Sequence, residues 1–145
     1  MQIHGSCASK SGAGVLLIGP SGSGKSDLVL RLRTHGFELV ADDRVDITNG
    51  IARAPAALGG LLEVRGLGIF RLPYAAEARL ALVVDLQVVG LSPVSPRLPM
   101  PERHVVLDLP VARIDAGAAS APERVALALA CALGRIDQVA GAFVA

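Results

Sequence analysis

The sequence predicts an α/β domain in which a central mixed β-sheet is flanked by helices, and three observations carry that prediction. Val15 to Ile18 is a continuous apolar run with two β-branched residues, the pattern of a strand buried on both faces. It leads through the glycine-rich stretch Gly19-Pro20-Ser21-Gly22-Ser23-Gly24-Lys25-Ser26 into a segment of helical periodicity. Further apolar runs at Phe37–Ala41, Leu61–Val64 and Leu80–Leu86 are punctuated by glycine, asparagine and proline, as strands separated by turns are.

Each element has its own justification. The helix after the glycine-rich stretch is expected from near Lys25, with Leu28, Val29 and Leu32 on one face and Arg31 and Arg33 off it. Gly36 is the expected stop, at the position where a left-handed residue ends a helix. Val45–Thr48 and Ile51–Arg53 flank Asn49-Gly50, a strong hairpin signal. Pro93, Pro96, Pro99 and Pro101 exclude helix and central strand between them, so that stretch is expected to be a loop. Val105–Leu109 is the expected last strand. Ser120-Ala121-Pro122-Glu123 reads as a capping box with proline at the first helical position, opening a helix that runs towards Gly134.

Size and composition narrow the classes of function. A chain of 145 residues fits one compact domain, residues 1–145, large enough to bury a core without disulfide or metal staples. Hydrophobic residues are 52% and charged residues 19%, which excludes a disordered chain. The formal net charge of +1 gives no basic excess, so no nucleic-acid partner is expected. The apolar runs are too short to span a bilayer and the N-terminus lacks a signal-peptide layout, so the expected location is cytoplasmic, with no membrane partner. Cys7 and Cys131 match no metal or redox spacing and are expected to be free thiols in a reducing compartment.

Gly19 to Ser26 fits the G-x-x-x-x-G-K-S/T pattern of a phosphate-binding loop. Its glycines let successive backbone N–H groups turn towards phosphate oxygens, and the helix that follows adds its positive end. Lys10 and Lys25 are the only lysines, so the loop lysine is not background composition. Lys25 is the expected cation for the terminal phosphates and Ser26 the expected hydroxyl ligand of Mg²⁺. The pattern establishes nucleotide binding and does not choose among ATPase, GTPase and kinase. A guanine-reading Asn-Lys-x-Asp motif is absent, which disfavours a GTPase.

Four acidic residues compete for the chemistry. Asp42 and Asp43 follow a strand whose C-terminal end would face the ligand crevice, where one carboxylate can hold Mg²⁺ and another can take a proton. Asp85 ends an apolar run and reads equally as a metal-side carboxylate, the signature of another P-loop ATPase or phosphotransferase. Glu63-Val64-Arg65-Gly66-Leu67-Gly68 sets a carboxylate, a guanidinium and two glycines together, a group able to ligate metal and clamp phosphate. A nucleotide-sensing module without turnover is the reading from a different class.

In order along the chain, these blocks resemble the catalytic, C-terminal domain of the HPr kinase/phosphorylase family, bacterial enzymes acting on a serine of the phosphocarrier protein HPr. The resemblance rests on His4-Gly5, on Gly14–Gly19 leading into the phosphate loop, on His35–Val45 with its paired aspartates, and on Leu62–Ile69. It covers residues 3 to 70 well. It implies a P-loop kinase-type fold and an ATP- and Mg²⁺-dependent protein serine kinase acting on an HPr-like partner in phosphotransferase-system regulation. It implies that His4 assists catalysis, that Asp43 is the base towards the substrate serine, that Lys25 binds phosphate, and that Ser26 and Glu63 bind Mg²⁺, with Asp42 beside them. It gives Arg65 a part in both directions of the reaction and demotes Asp85 to a strand-end residue. Arg97, in Pro96-Arg97-Leu98-Pro99, matches a catalytic arginine of the family. The family's Pro-Gly-Arg-Asn stretch has no clear counterpart near Gly117 to Arg124, so the kinase direction is the expected one. The resemblance also implies a homo-oligomer, in the family often a hexamer, and a short form lacking the family's amino-terminal domain.

Overall fold

The computed structural model describes residues 1–144. Its strands are β1 (Gln2–His4), β2 (Ser6–Lys10), β3 (Ala13–Ile18), β4 (Glu38–Ala41), β5 (Arg44–Thr48), β6 (Ile51–Arg53), β7 (Leu61–Val64), β8 (Gly68–Arg71), β9 (Ala78–Gln87) and β10 (Val111–Asp115). The helices are α1 (Lys25–Leu32) and α2 (Ala121–Ala132), and a 3₁₀ turn at Arg33–His35 follows α1.

The sheet is mixed, as expected. Eight strands pair in the path β1-β5-β6-β9-β3-β2-β4, with β10 also on β9. β3 lies parallel to β9 on one side and antiparallel to β2 on the other, so the strand feeding the phosphate loop is internal. β9 serves two neighbours along one edge, with β6 at Ala78 and Arg79 and β10 from Val83 to Gln87. β4 is antiparallel to β2 and so shares the direction of β3. The C-terminal ends of β3, β4, β9 and β10 therefore meet on one side of the sheet.

The sheet folds over on itself. β1 and β2 are separated by Gly5 alone, β4 and β5 by Asp42-Asp43, and the Gly5 N–H donates to the Asp43 carbonyl at 3.0 Å. A Cβ on Gly5 would stand 2.6 Å from the Leu17 carbonyl oxygen, so only glycine lets these two backbones approach. The fold-over produces two cores. One lies between the sheet and the helices, around Leu17, Leu28, Leu32, Leu82 and Val125. The other lies inside the bend, around Cys7, Leu16, Val40, Val45 and Val83.

Several expectations hold at the level of residues. Asn49 and Gly50 both take positive φ, 52° and 76°, the conformation of a tight hairpin turn joining β5 to β6. Gly36 takes φ 83° and ends the turn after α1. Cys7 is buried, Cys131 partly so, and neither is bonded to the other.

Two expectations are corrected. Val105–Leu109 is not the last strand. The Asp108 N–H closes onto the His104 carbonyl at 2.9 Å, His104 Nδ1 accepts from the Val106 and Leu107 N–H groups, and Asp108 takes φ 52°. The strand begins after Pro110 instead, as β10. The capping box at α2 does not form either. Ser120 makes no side-chain cap and its Oγ accepts from Arg124 Nε at 2.8 Å, while Glu123 pairs with His35 at 3.4 Å.

Candidate active site

The phosphate loop is shaped by its glycines. Gly22 and Gly24 take φ 81° and 96°, which a side chain would resist, and Gly19 takes 155°. A Cβ on Gly19 would meet Ser23 Oγ at 2.7 Å, and one on Gly24 would meet Ala116 Cβ at 3.1 Å. The loop is thus clasped between its own serine and the turn after β10. Gly24 precedes α1 without any side-chain cap, leaving the first N–H groups of the helix for an anion.

Lys25 is mostly buried beneath this loop. Its Nζ donates to the carbonyls of Gly19 and Pro20 at 2.8 and 3.1 Å and stands 3.5 Å from Ser23 Oγ. Burial pulls its pKa below the ordinary lysine value, and the charges of Asp43 and Asp42 oppose that pull. The ammonium is thus held by carbonyls that a phosphate oxygen can replace, within the field of both aspartates.

Asp42 is anchored from three directions. Its Oδ1 accepts from Ser6 Oγ and Ser26 Oγ, each at 2.7 Å, and its Oδ2 accepts from the Glu63 N–H at 3.4 Å. Nothing in the sequence distinguished Ser6, a buried serine at the start of β2, as a partner of this aspartate. Asp43, the next residue, lies in the link between β4 and β5 and lines the cavity. It takes φ 68°, a conformation that costs a non-glycine residue energy and that recurs at functional sites. His4 Nδ1 stands 3.4 Å from its Oδ1 and Arg44 Nε 4.0 Å from its Oδ2. The carboxylate remains exposed.

The hairpin β7–β8 completes the wall. Leu62 is fully buried and fixes β7 against α1 and the core, so that Glu63, Val64 and Arg65 project beside the phosphate loop. A cavity of about 440 Å³ results, and His4, Ser21, Gly22, Gly24, Lys25, Ser26, Asp43, Glu63 and Arg65 all line it. Of the remaining expected residues, Gly19, Pro20 and Ser23 form the loop's underside around Lys25, and Asp42 stands behind Ser26. Arg97 is not brought in: it is exposed in the proline-rich segment and does not line the cavity. Asp85 is not brought in either. Its Oδ2 accepts from Arg113 Nη1 at 2.9 Å, and Glu102 grips the same guanidinium with both oxygens.

The donor set suits Mg²⁺. The Ser26 hydroxyl, the Asp42 carboxylate and the Glu63 carboxylate are hard oxygen donors adjoining the phosphate loop. Among the described residues no group of three or more His, Cys, Asp or Glu side chains forms a ready metal cage. A site of few protein oxygens that relies on phosphate for the rest is characteristic of Mg²⁺.

The family model described as HPr Serine kinase C-terminal domain matches residues 1–111. The chain is similar to the HPr kinase/phosphorylase of Clostridium tetani, 40% identical over 94 residues, which cover 62% of this chain and 30% of that protein. It is similar also to that of Clostridium acetobutylicum, 34% identical over 125 residues, covering 78% of this chain and 41% of that protein. The chain thus spans 30% to 41% of the length of these relatives. A solved structure, that of the Hpr(Ser) kinase/phosphatase from Coxiella burnetii, matches with a TM-score of 0.78 over 92% of each chain at 23% identity, a likeness of fold. Among the described residues no helix is long and apolar enough to cross a membrane.

Proposed function

The chain belongs to the HPr serine kinase C-terminal domain family, and from that premise we propose that it is an ATP-dependent protein serine kinase whose acceptor is an HPr-like phosphocarrier protein. The observation that carries the proposal is the single cavity joining Lys25 and Ser26 of the phosphate loop to Asp43, Glu63 and Arg65. Phosphate donor and proton acceptor share one space.

The chain's residues divide the work. The loop N–H groups and the N-terminus of α1 bind the polyphosphate, and Lys25 neutralises its terminal charge. Ser26, Glu63 and Asp42 would hold Mg²⁺, which would supply positive charge to offset that developing on the transferring phosphate. Asp43 accepts the proton of the acceptor serine as its Oγ forms a bond to the γ-phosphorus, while the bond from that phosphorus to the β–γ bridging oxygen breaks and ADP carries the electron pair away. His4, at 3.4 Å, orients the Asp43 carboxylate. Arg65 lies where it can clamp the transferring group. Positioning and electrostatics supply most of the rate, since the transferring group demands little covalent help. Arg97 would act through the exposed proline-rich segment, at a neighbouring subunit of a homo-oligomer rather than in its own cavity.

The other carboxylate reading places the chemistry at Asp85. The Arg113 pairing argues against it, because a carboxylate already neutralised by a guanidinium is a poor metal ligand. The test is transfer of labelled phosphate from ATP to HPr by wild type and Asp85→Asn. Transfer by both supports the proposal. A wild type that hydrolyses ATP without labelling HPr, or a loss of all turnover in Asp85→Asn, contradicts it.

A further inference from the structure

A second cavity, of about 470 Å³, opens on the opposite flank of the phosphate loop. Gly22, Gly24 and Asp27 line both cavities, so the two are halves of one cleft divided by the loop. Gln87 and Asp115 form the far wall. They are register partners, the last residues of the parallel neighbours β9 and β10. Arg31 closes the side: its Nε donates to Asp27 and its Nη2 to the Ala116 carbonyl, tying α1 to the turn after β10.

Direction along the cleft follows from the first cavity. Asp43, Glu63 and Arg65 lie there, which makes it the end for the terminal, transferring phosphate. A polyphosphate laid along the loop from that end passes Gly22 and Gly24, and whatever it is esterified to enters the second cavity. The charges there agree. Asp27 and Asp115 are acidic and the Arg31 guanidinium is committed to Asp27 and a carbonyl, an arrangement that repels further phosphate and suits neutral hydroxyl groups. Asp115 Oδ1 accepts from the Gly117 N–H at 2.8 Å. Its Oδ2 and the Gln87 Oε1 have no hydrogen-bond partner among the described residues.

We propose that this second cavity is the nucleoside half of the donor site and that the Asp115 carboxylate reads the sugar by accepting hydrogen bonds from its vicinal hydroxyls. A carboxylate at the end of a parallel strand, beside a phosphate loop, is well placed for that contact. The proposal rests on the phosphate-donor reading of the first cavity and extends it to the donor's other end.

Calorimetric titration of wild type and Asp115→Ala with ATP, 2′,3′-dideoxy-ATP and inorganic tripolyphosphate, each with Mg²⁺, tests it. The expected result is that wild type favours ATP over the dideoxy analogue by about tenfold, the scale of a hydrogen bond to a charged group. Asp115→Ala erases that preference and leaves tripolyphosphate affinity unchanged, which also shows that the variant is folded. Equal wild-type affinity for the two nucleotides overturns the sugar contact, as does a preference that survives in Asp115→Ala or an equal loss of tripolyphosphate binding. Failure of wild type to bind either tripolyphosphate or ATP would overturn the phosphate reading itself, and this inference with it.

Discussion

Among single residues, Gly5 shows how a backbone contact positions chemistry. It is the one residue between β1, which ends in His4, and β2, which begins with Ser6, and its N–H holds the Asp43 carbonyl. A methyl group at Gly5 would collide with the Leu17 carbonyl, a backbone atom that cannot move aside. Gly5→Ala is expected to cost about 1–3 kcal/mol in denaturant unfolding and to lower turnover in the fraction that remains folded, because His4 and Asp43 shift together. The cysteines give a second residue-scale prediction. Burial pushes the Cys7 thiol up to about 12, from an ordinary value near 9.0. A maleimide should label Cys131 of the native protein and leave Cys7 untouched until denaturant is added. The same shift has a sign for stability. The unfolded chain ionises this thiol first, so its contribution is complete below about pH 9 and declines as pH rises towards 12. Most of the candidate site was legible at this scale, since Gly19 to Ser26, Asp42, Asp43, Glu63 and Arg65 all converge. Ser6 and Asp115 were not, because a serine or aspartate at a strand end has no pattern until its spatial partner is known.

Among elements, β10 and the segment before it separate what a pattern can tell from what pairing decides. Val105–Leu109 and Val111–Asp115 both look like strands. Only the second extends the parallel edge of β9; the first is turned back by His104, with Val105 and Val106 exposed and Leu107 and Leu109 packed against the core inside the bend. The Arg113 guanidinium fastens this region to the sheet by joining Glu102, before the turn, to Asp85 on β9. These side chains are part-exposed, so solvent screening limits the stabilisation to about 1 kcal/mol. Arg113→Ala should lower stability by about that amount and speed proteolysis between residues 88 and 110, as read by mass spectrometry of the fragments. The hairpin at Asn49-Gly50, by contrast, was legible because the turn dictates its residues locally. Gly50→Ala, at φ 76°, should cost about 1 kcal/mol without altering nucleotide binding.

Across the whole molecule, a high apolar content serves a sheet that bends over on itself and so must fill two cores rather than one. Composition gave the amount of core but not its division, since the bend depends on Gly5 and on the short link at Asp42-Asp43. The same bend brings His4 of β1 and the Asp42-Asp43 link after β4 to the phosphate loop, while the separate hairpin β7–β8 closes the candidate site from the α1 side. Val89, Leu91, Val94, Leu98 and Met100 stand exposed along the proline-rich segment. We propose a homo-oligomer in solution: light scattering should give a mass of at least twice 14.9 kDa, and a mass of 14.9 kDa would contradict it. In the proposed mechanism Asp43 acts on the acceptor while the phosphate loop holds the donor, and Asp43→Asn separates the two. Phosphate transfer to HPr and ATP affinity should be measured on the same preparation. Transfer is predicted to fall by about 10²–10⁴-fold, the scale of general-base catalysis, with ATP affinity close to that of wild type. Undiminished transfer in this variant would contradict the account.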